Sequence, residues 1–316
     1  MNQNTLRETV KKLFEEGTVV RFVGYEEGLK STRPVPVVAT KAAQAEKMVL
    51  NPFCVNNFAK YALDLQLQNG KTGIAVKGCD SLGIQRLLRD YRLLRDKVYL
   101  IGVPCSGILD AKKVERLNLG PIGAVREEDD SFVVHSEKGE RKLAKREYLL
   151  KKCLSCTNHN PVDVDVMLGD PVAETAYEAK DYSDVLVIEG MTPEGRAAYW
   201  ASQFERCLRC YACRNTCPAC NCRTCVFDQD EPRWVGRGTG YNDQEMFHFI
   251  RAMHVAGRCI DCGECERVCP MDLPLMKLNR KLMKDIGELF KVENPHIPAE
   301  IEPLGQFKPH DRDEFN

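Results

Sequence analysis

The apolar positions of this chain fall into two regimes. Over residues 1–195, short β-branched runs recur at 19–25, 35–39, 73–76, 98–103, 162–168 and 185–188, most of them bounded by Gly, Pro, Asn or Asp. That pattern predicts strands. Between them the spacing of apolar residues predicts helices over 44–49, 57–68, 82–95 and 140–152. The opening stretch, MNQNTLRETVKKLFEEGTVV, reads as an amphipathic helix rather than a targeting segment. Residues 110–139 are charged and turn-rich, with a small β excursion at 132–135. Such alternation predicts an α/β N-terminal domain, a sheet covered by helices.

From Pro193 onward the β-branched runs stop and helix formers take over. A helix is predicted over 243–255, with Met246, Phe247, Phe249, Ile250 and Met253 mostly on one face, and another over 274–290. The organisation is therefore 1–195 α/β, 196–290 α-helical, and 291–316 an extended tail. That tail, with Pro295, Pro298, Pro303 and Pro309, is either a loose terminus or an arm laid on a partner through Ile297, Ile301, Leu304 and Phe307.

The cysteines give the helical region its chemistry. Cys207-x2-Cys210-x2-Cys213-x3-Cys217-Pro218 is repeated as Cys259-x2-Cys262-x2-Cys265-x3-Cys269-Pro270. This is the bacterial-ferredoxin spacing, in which three thiolates hold one [4Fe–4S] cube and the fourth ligates the other. The residue before a proline is pushed to an extended conformation, which leads it away from the first three. Cys207, Cys210, Cys213 and Cys269 should then hold one cluster, and Cys259, Cys262, Cys265 and Cys217 its twin. Structural zinc is the rival reading, but zinc sites pair short C-x2-4-C knuckles instead of repeating a four-cysteine run before proline. The whole reads as an α-helical ferredoxin-like domain with two [4Fe–4S] clusters.

Eight cysteines remain outside the two runs. Cys79 and Cys105 each follow a β run, and strand ends on one sheet edge converge. With the pair Cys153-x2-Cys156 they make a candidate third cluster; the bland alternative is a buried, inert thiol at Cys79 or Cys105. Cys220, Cys222 and Cys225 follow the first run and reach four with Cys54, a candidate further site, for which zinc or spare thiols serve equally well. Arg206, Arg209, Arg214, Arg223, Arg258 and Arg267 crowd the runs, either as counter-charges favouring reduced clusters or as ordinary surface. The six histidines show no catalytic spacing. His159 is a candidate hydrogen-bond donor to a cluster sulfur, while His248 and His254 fit packing or surface roles.

Composition narrows the setting. Lys plus Arg number 45 against 46 Asp plus Glu, a net charge of -1, with no long basic run, so nucleic acid is not an expected partner. Sixteen cysteines without a signal peptide point to a reducing cytoplasm and metal ligation. No apolar run approaches the roughly 20 residues of a membrane span, so no direct membrane insertion is expected. No G-x-G-x-x-G fingerprint is present.

The order of these motifs resembles the beta-subunit family of coenzyme F420-reducing hydrogenases and formate dehydrogenases, fused to an α-helical dicluster ferredoxin module. The residues that carry it are Gly102-Val103-Pro104-Cys105, Lys152-Cys153-Leu154-Ser155-Cys156 and Gly169-Asp170. In the attached module they are Arg209-Cys210-Tyr211-Ala212-Cys213-Arg214-Asn215 and Cys217-Pro218-Ala219-Cys220. The resemblance implies a flavin-linked electron-transfer subunit, with FAD as a candidate cofactor. Its partners would be catalytic redox subunits of a larger anaerobic complex: hydrogenase, formate dehydrogenase or heterodisulfide-reductase-like. The alternative is a self-contained flavin-dependent oxidoreductase reducing F420 or a nicotinamide. A redox-sensing iron–sulfur protein is a third reading, for which single, exposed clusters would be expected.

Overall fold

The computed structural model describes residues 3–174, 182–299 and 302–305. Its contacts divide the chain into two units, Met1–Asp181 and Tyr182–Asn316. The division falls before the compositional break at Pro193.

In the first unit the strands are laid down with helices between them. They run α1 (Gln3–Glu15), β1 (Arg21–Glu26), β2 (Val35–Ala39), α2 (Ala59–Leu65), β3 (Thr72–Val76), α3 (Gly78–Arg89) and β4 (Val98–Gly102). A five-stranded sheet has the order β2-β1-β3-β4 and then β8 (Val166–Met167). β1 is antiparallel to β2, and the remaining pairs are parallel. Successive side chains on a strand point to opposite faces. Val23, Ile74, Val76 and Leu100 accordingly pack with Phe58, Ala62, Ile84 and Leu87 around α2 and α3. Phe22, Ala75 and Ile101 pack on the other face against Leu6, Val10 and Leu13 of α1. Burial on both faces explains why these strands read as continuous apolar runs.

Between β4 and β8 stands α4 (Ala111–Glu115), followed by a three-stranded antiparallel sheet of β5 (Ile122–Glu128), β6 (Ser131–Ser136) and β7 (Gly139–Ala144). Two one-turn helices follow, α5 (Lys145–Tyr148) and α6 (Lys151–Leu154). The expected β excursion at 132–135 is thus the middle strand of a sheet, and the expected helix over 140–152 is a strand and two short helices. Its Lys, Arg and Glu residues favour helix, but Leu143 is buried opposite Phe132 across the β6–β7 ladder, and that pairing wins. The expected strand over 162–168 keeps only Val166–Met167.

The second unit is helical: α7 (Ser183–Glu189), α8 (Pro193–Phe204), α9 (Ala212–Asn215), α10 (Tyr241–Val255), α11 (Glu264–Arg267) and α12 (Leu275–Phe290). The 185–188 run, expected as a strand, is the body of α7. Val185 and Ile188 are buried while Leu186 and Val187 are 46% and 65% exposed, a spacing of three that belongs to a helix and not a strand. α8 opens with Thr192 accepting the Gly195 N–H at 3.1 Å and with Pro193 at its first position, both standard helix-start devices.

α10 is helical as expected but turns a different face inward. Its buried residues are Gln244, Phe247, His248, Arg251, Ala252 and Val255, an unbroken i, i+3, i+4, i+7, i+8, i+11 stripe. Met246, Phe249 and Met253 stay exposed. In the tail, Ile297 and Leu304 are exposed, and Ile301 and Phe307 lie outside the described residues. Among the described residues no helix is long and apolar enough to cross a membrane.

Candidate metal centres

Each cysteine run of the second unit wraps in the same way. The third residue of each, Arg209 and Asp261, has φ 52°, and the fifth, Tyr211 and Gly263, has φ 59° and 63°. Left-handed backbone costs a non-glycine residue about 1–2 kcal/mol, and it persists where the surroundings over-determine it. Each twist turns a backbone N–H toward a leading sulfur: Arg209 donates to Cys207 Sγ at 3.3 Å, and Asp261 likewise to Cys259. One-turn helices α9 and α11 then bury the third cysteine of each run, Cys213 and Cys265, in the apolar core with Phe227, Phe247 and Leu273.

The resulting cavities are mixed in origin. One is lined by Cys207, Cys210, Cys213 and Cys269, with Tyr211, Phe247 and His248 in its wall. The other is lined by Cys217, Cys259, Cys262 and Cys265, with Asp261, Met276 and Asn279. Each draws three cysteines from one run and its fourth from the other. Burial pushes the thiols of Cys213 and Cys265 up to about 11 and about 12, so the thiolates that ligation needs are unfavourable until a cation compensates them.

α10 supplies a polar support that the hydrophobic pattern concealed. Gln244 donates to the Cys207 carbonyl at 2.9 Å, and Arg251 to the Cys213 carbonyl at 3.1 Å. His248 is buried and stacked on Phe204 with centroids 4.6 Å apart, and among the described residues neither ring nitrogen has a partner. Burial pushes its pKa down to about 3, so the ring is neutral. At the second cavity the Asn279 amide donates to Cys265 Sγ at 3.6 Å. Arg209 is a tie rather than an ordinary surface cation. Buried over the Phe247 ring, it donates to the carbonyls of Gly236 and Asp243, both at 2.7 Å. Gln244, His248 and Arg251 interrupt the apolar pattern at the positions the fold buries, so no hydrophobic signal in the sequence marked them.

In the first unit, β3 and β4 are parallel neighbours, and their C-terminal ends deliver Cys79 and Cys105 to one place. Cys153 on α6 and Cys156 just after it come to the same place, all four thiols acting on one another electrostatically. Burial pushes Cys79 and Cys105 up to about 12. The charges of the buried Lys152 and Lys77 oppose that rise at Cys79. The loop after Cys156 lies so close to α3 that a Cβ on Gly78 would stand 1.8 Å from the Asn158 oxygen. His159 faces the carbonyls of Cys105 and Cys156, at 2.8 and 3.1 Å, instead of a sulfur. Each tautomer of the neutral ring donates to one of these two carbonyls.

Cys54, Cys220, Cys222 and Cys225 have unlike surroundings. Cys54 belongs to the first unit's core and accepts the Asn51 N–H at 3.4 Å. In the second unit Cys220 is hydrogen-bonded to Cys217, Cys222 is exposed, and Cys225 lies beside Arg214. Among the described residues, no three His, Cys, Asp or Glu side chains are drawn together as a single metal ion requires. Thiolates on one zinc stand only about 3.8 Å apart, from a tetrahedral Zn–S bond of about 2.3 Å, whereas a four-iron cube spreads its ligands, one to each iron.

Residues 203–273 match the family model described as a 4Fe-4S dicluster domain. The second unit carries that domain. Beyond it, the chain is 25% identical to the F420-dependent formate dehydrogenase subunit beta of Methanocaldococcus jannaschii, over 84% of this chain and 85% of the relative. It is also 25% identical to the F420-dependent formate dehydrogenase 1 subunit beta of Methanococcus maripaludis, over 92% and 90%. A chain of the F420-reducing [NiFe] hydrogenase complex from Methanosarcina barkeri superposes with a TM-score of 0.43 and 18% identity, over 64% of this chain and 84% of that one. The resemblance to beta subunits thus extends past the dicluster domain into the α/β unit.

Proposed function

We propose that this chain is an iron–sulfur electron-transfer subunit of a larger anaerobic redox complex in the cytoplasm, of the hydrogenase, formate dehydrogenase or heterodisulfide-reductase-like kind. The observation that carries the reading is the pair of four-cysteine cavities in the dicluster domain, each completed by the opposite run. Cys207, Cys210, Cys213 and Cys269 would hold one [4Fe–4S] cluster, and Cys217, Cys259, Cys262 and Cys265 the second. Cys79, Cys105, Cys153 and Cys156 would hold a third in the α/β unit. Such clusters supply one-electron chemistry with no bond made or broken in a substrate.

The chain's own residues keep the sites dry, hold the thiols and aim N–H groups at sulfur. Hydrogen bonds to the sulfurs raise the potential of the site they serve. The first site reaches the surface at Cys210, beside Leu208, which is 60% exposed; this edge is where a catalytic subunit would exchange electrons.

Iron, acid-labile sulfide, zinc and flavin per chain, measured on protein purified without oxygen, test the proposal. About 12 iron with matching sulfide is expected, four per cluster. About 8 would confine the relay to the dicluster domain, and about 16 would add a site at Cys54, Cys220, Cys222 and Cys225. Zinc in place of iron would overturn it. Stoichiometric FAD would favour the self-contained flavoenzyme reducing F420 or a nicotinamide.

A further inference from the structure

Arg251 is the one arginine of α10's buried stripe, at 2% exposure. Its guanidinium donates to the Cys213 carbonyl at 3.1 Å, and its buried Nε has no hydrogen-bond partner among the described residues. Among the described residues no carboxylate pairs with it. Burying an unpaired cation costs several kcal/mol, so a charge that persists here needs a negative counterpart. Burial opposes its charge, and the groups that favour it are sulfurs: Cys265 and Cys217 of the second cavity, Cys220 beside Cys217, and Cys213 of the first. The side chain touches the first site at the Cys213 carbonyl, and its charge also favours the Cys217 and Cys265 thiolates of the second.

We propose that Arg251 is a shared counter-ion that raises the reduction potential of both clusters in the dicluster domain. The inference rests on the two-cluster reading above. A cube held by four thiolates carries negative charge, and each electron accepted adds one more, so a fixed cation nearby favours the reduced form. No proton accompanies the electron at this residue, because a guanidinium stays protonated throughout. In the low-dielectric interior the effect is weakly screened by salt.

The experiment is a redox titration, followed by electron paramagnetic resonance, of the full chain purified without oxygen, as wild type, Arg251→Met and Arg251→Lys. Two reducible centres in the wild type test the underlying reading; the variants test the arginine. In Arg251→Met the reduction equilibrium should fall about tenfold at both centres, a shift of about 59 mV for a one-electron couple. In Arg251→Lys, which keeps the charge but not the fork of donors, most of each potential should return. A shift at one centre only, or equal shifts in both variants, would overturn the proposal in favour of a backbone tie to Cys213. If Arg251→Met fails to hold iron, Arg251→Lys decides alone: wild-type potentials at both centres sustain the proposal, and a lowered one refutes it.

Discussion

The two halves of the dicluster domain share spacing, backbone twist and N–H···S contacts, yet their surroundings differ in charge. At the third position of the first run stands Arg209, which acts favourably on the Cys207 thiolate; at the matching position of the second stands Asp261, which opposes the Cys259 thiolate. Burial pushes Asp261 up to about 7, and Arg280 lies 3.5 Å away as its counter-charge. Arg267 is bound back to the buried Glu264 at 2.7 Å, so the second run's own cation is neutralised locally. The backbone thus builds two equal cages, and the side chains make them unequal. Two identical sites would give a relay no preferred order, whereas this pattern, with a cluster in each cage, would make the first the higher in potential.

The largest effect should come from breaking the crossing that joins the halves. Cys269→Ser lies in the second run but should abolish the first centre and about four iron, giving the spectrum of Cys210→Ser. Cys217→Ser should match Cys262→Ser in the same way. Iron content and low-temperature spectra of the four variants check this, and the opposite matching would show that each run closes its own cage.

How much of this was legible in the sequence follows from the range of each interaction. Ligand spacing is local, so Cys207-x2-Cys210-x2-Cys213-x3-Cys217 stands in plain view, and the proline after Cys217 already hints that it leaves its own cage. The convergence of Cys79 and Cys105 followed from their places at the ends of neighbouring strands. α10 misled, because hydrophobicity selects Met246, Phe249 and Met253, whereas the buried stripe carries Gln244 and Arg251, which donate to backbone carbonyls distant in sequence, and His248, which stacks on Phe204. The 185–188 run misled for a related reason. Its β-branched residues favour a strand, but only Val185 and Ile188 find a surface to pack on.

A smaller effect should separate the two charged positions by role. Arg209→Gln leaves the Gly236 and Asp243 carbonyls without their donor and removes the ring stack on Phe247. Loss of about 3 kcal/mol in the stability of the domain is expected, visible as an earlier denaturant midpoint. Asp261→Asn keeps a side chain of the same shape and should cost far less, so equal losses would mean that the two positions do the same structural work.

The smallest change should be the most informative about the asymmetry. Asp261→Asn removes the negative charge beside Cys259 without disturbing the first run. Measured above pH 8, where a carboxyl pushed up to about 7 is ionised, the substitution should raise the potential of the second centre and leave the first alone. Arg280 offsets part of the carboxylate's field, so the gain should stay within about tenfold in the reduction equilibrium, or about 59 mV. A narrowed gap between the centres would tie the ordering to this one position. An unchanged gap would move it to the remaining differences, Arg209 against Phe247 on one side and Glu264 with Arg267 on the other.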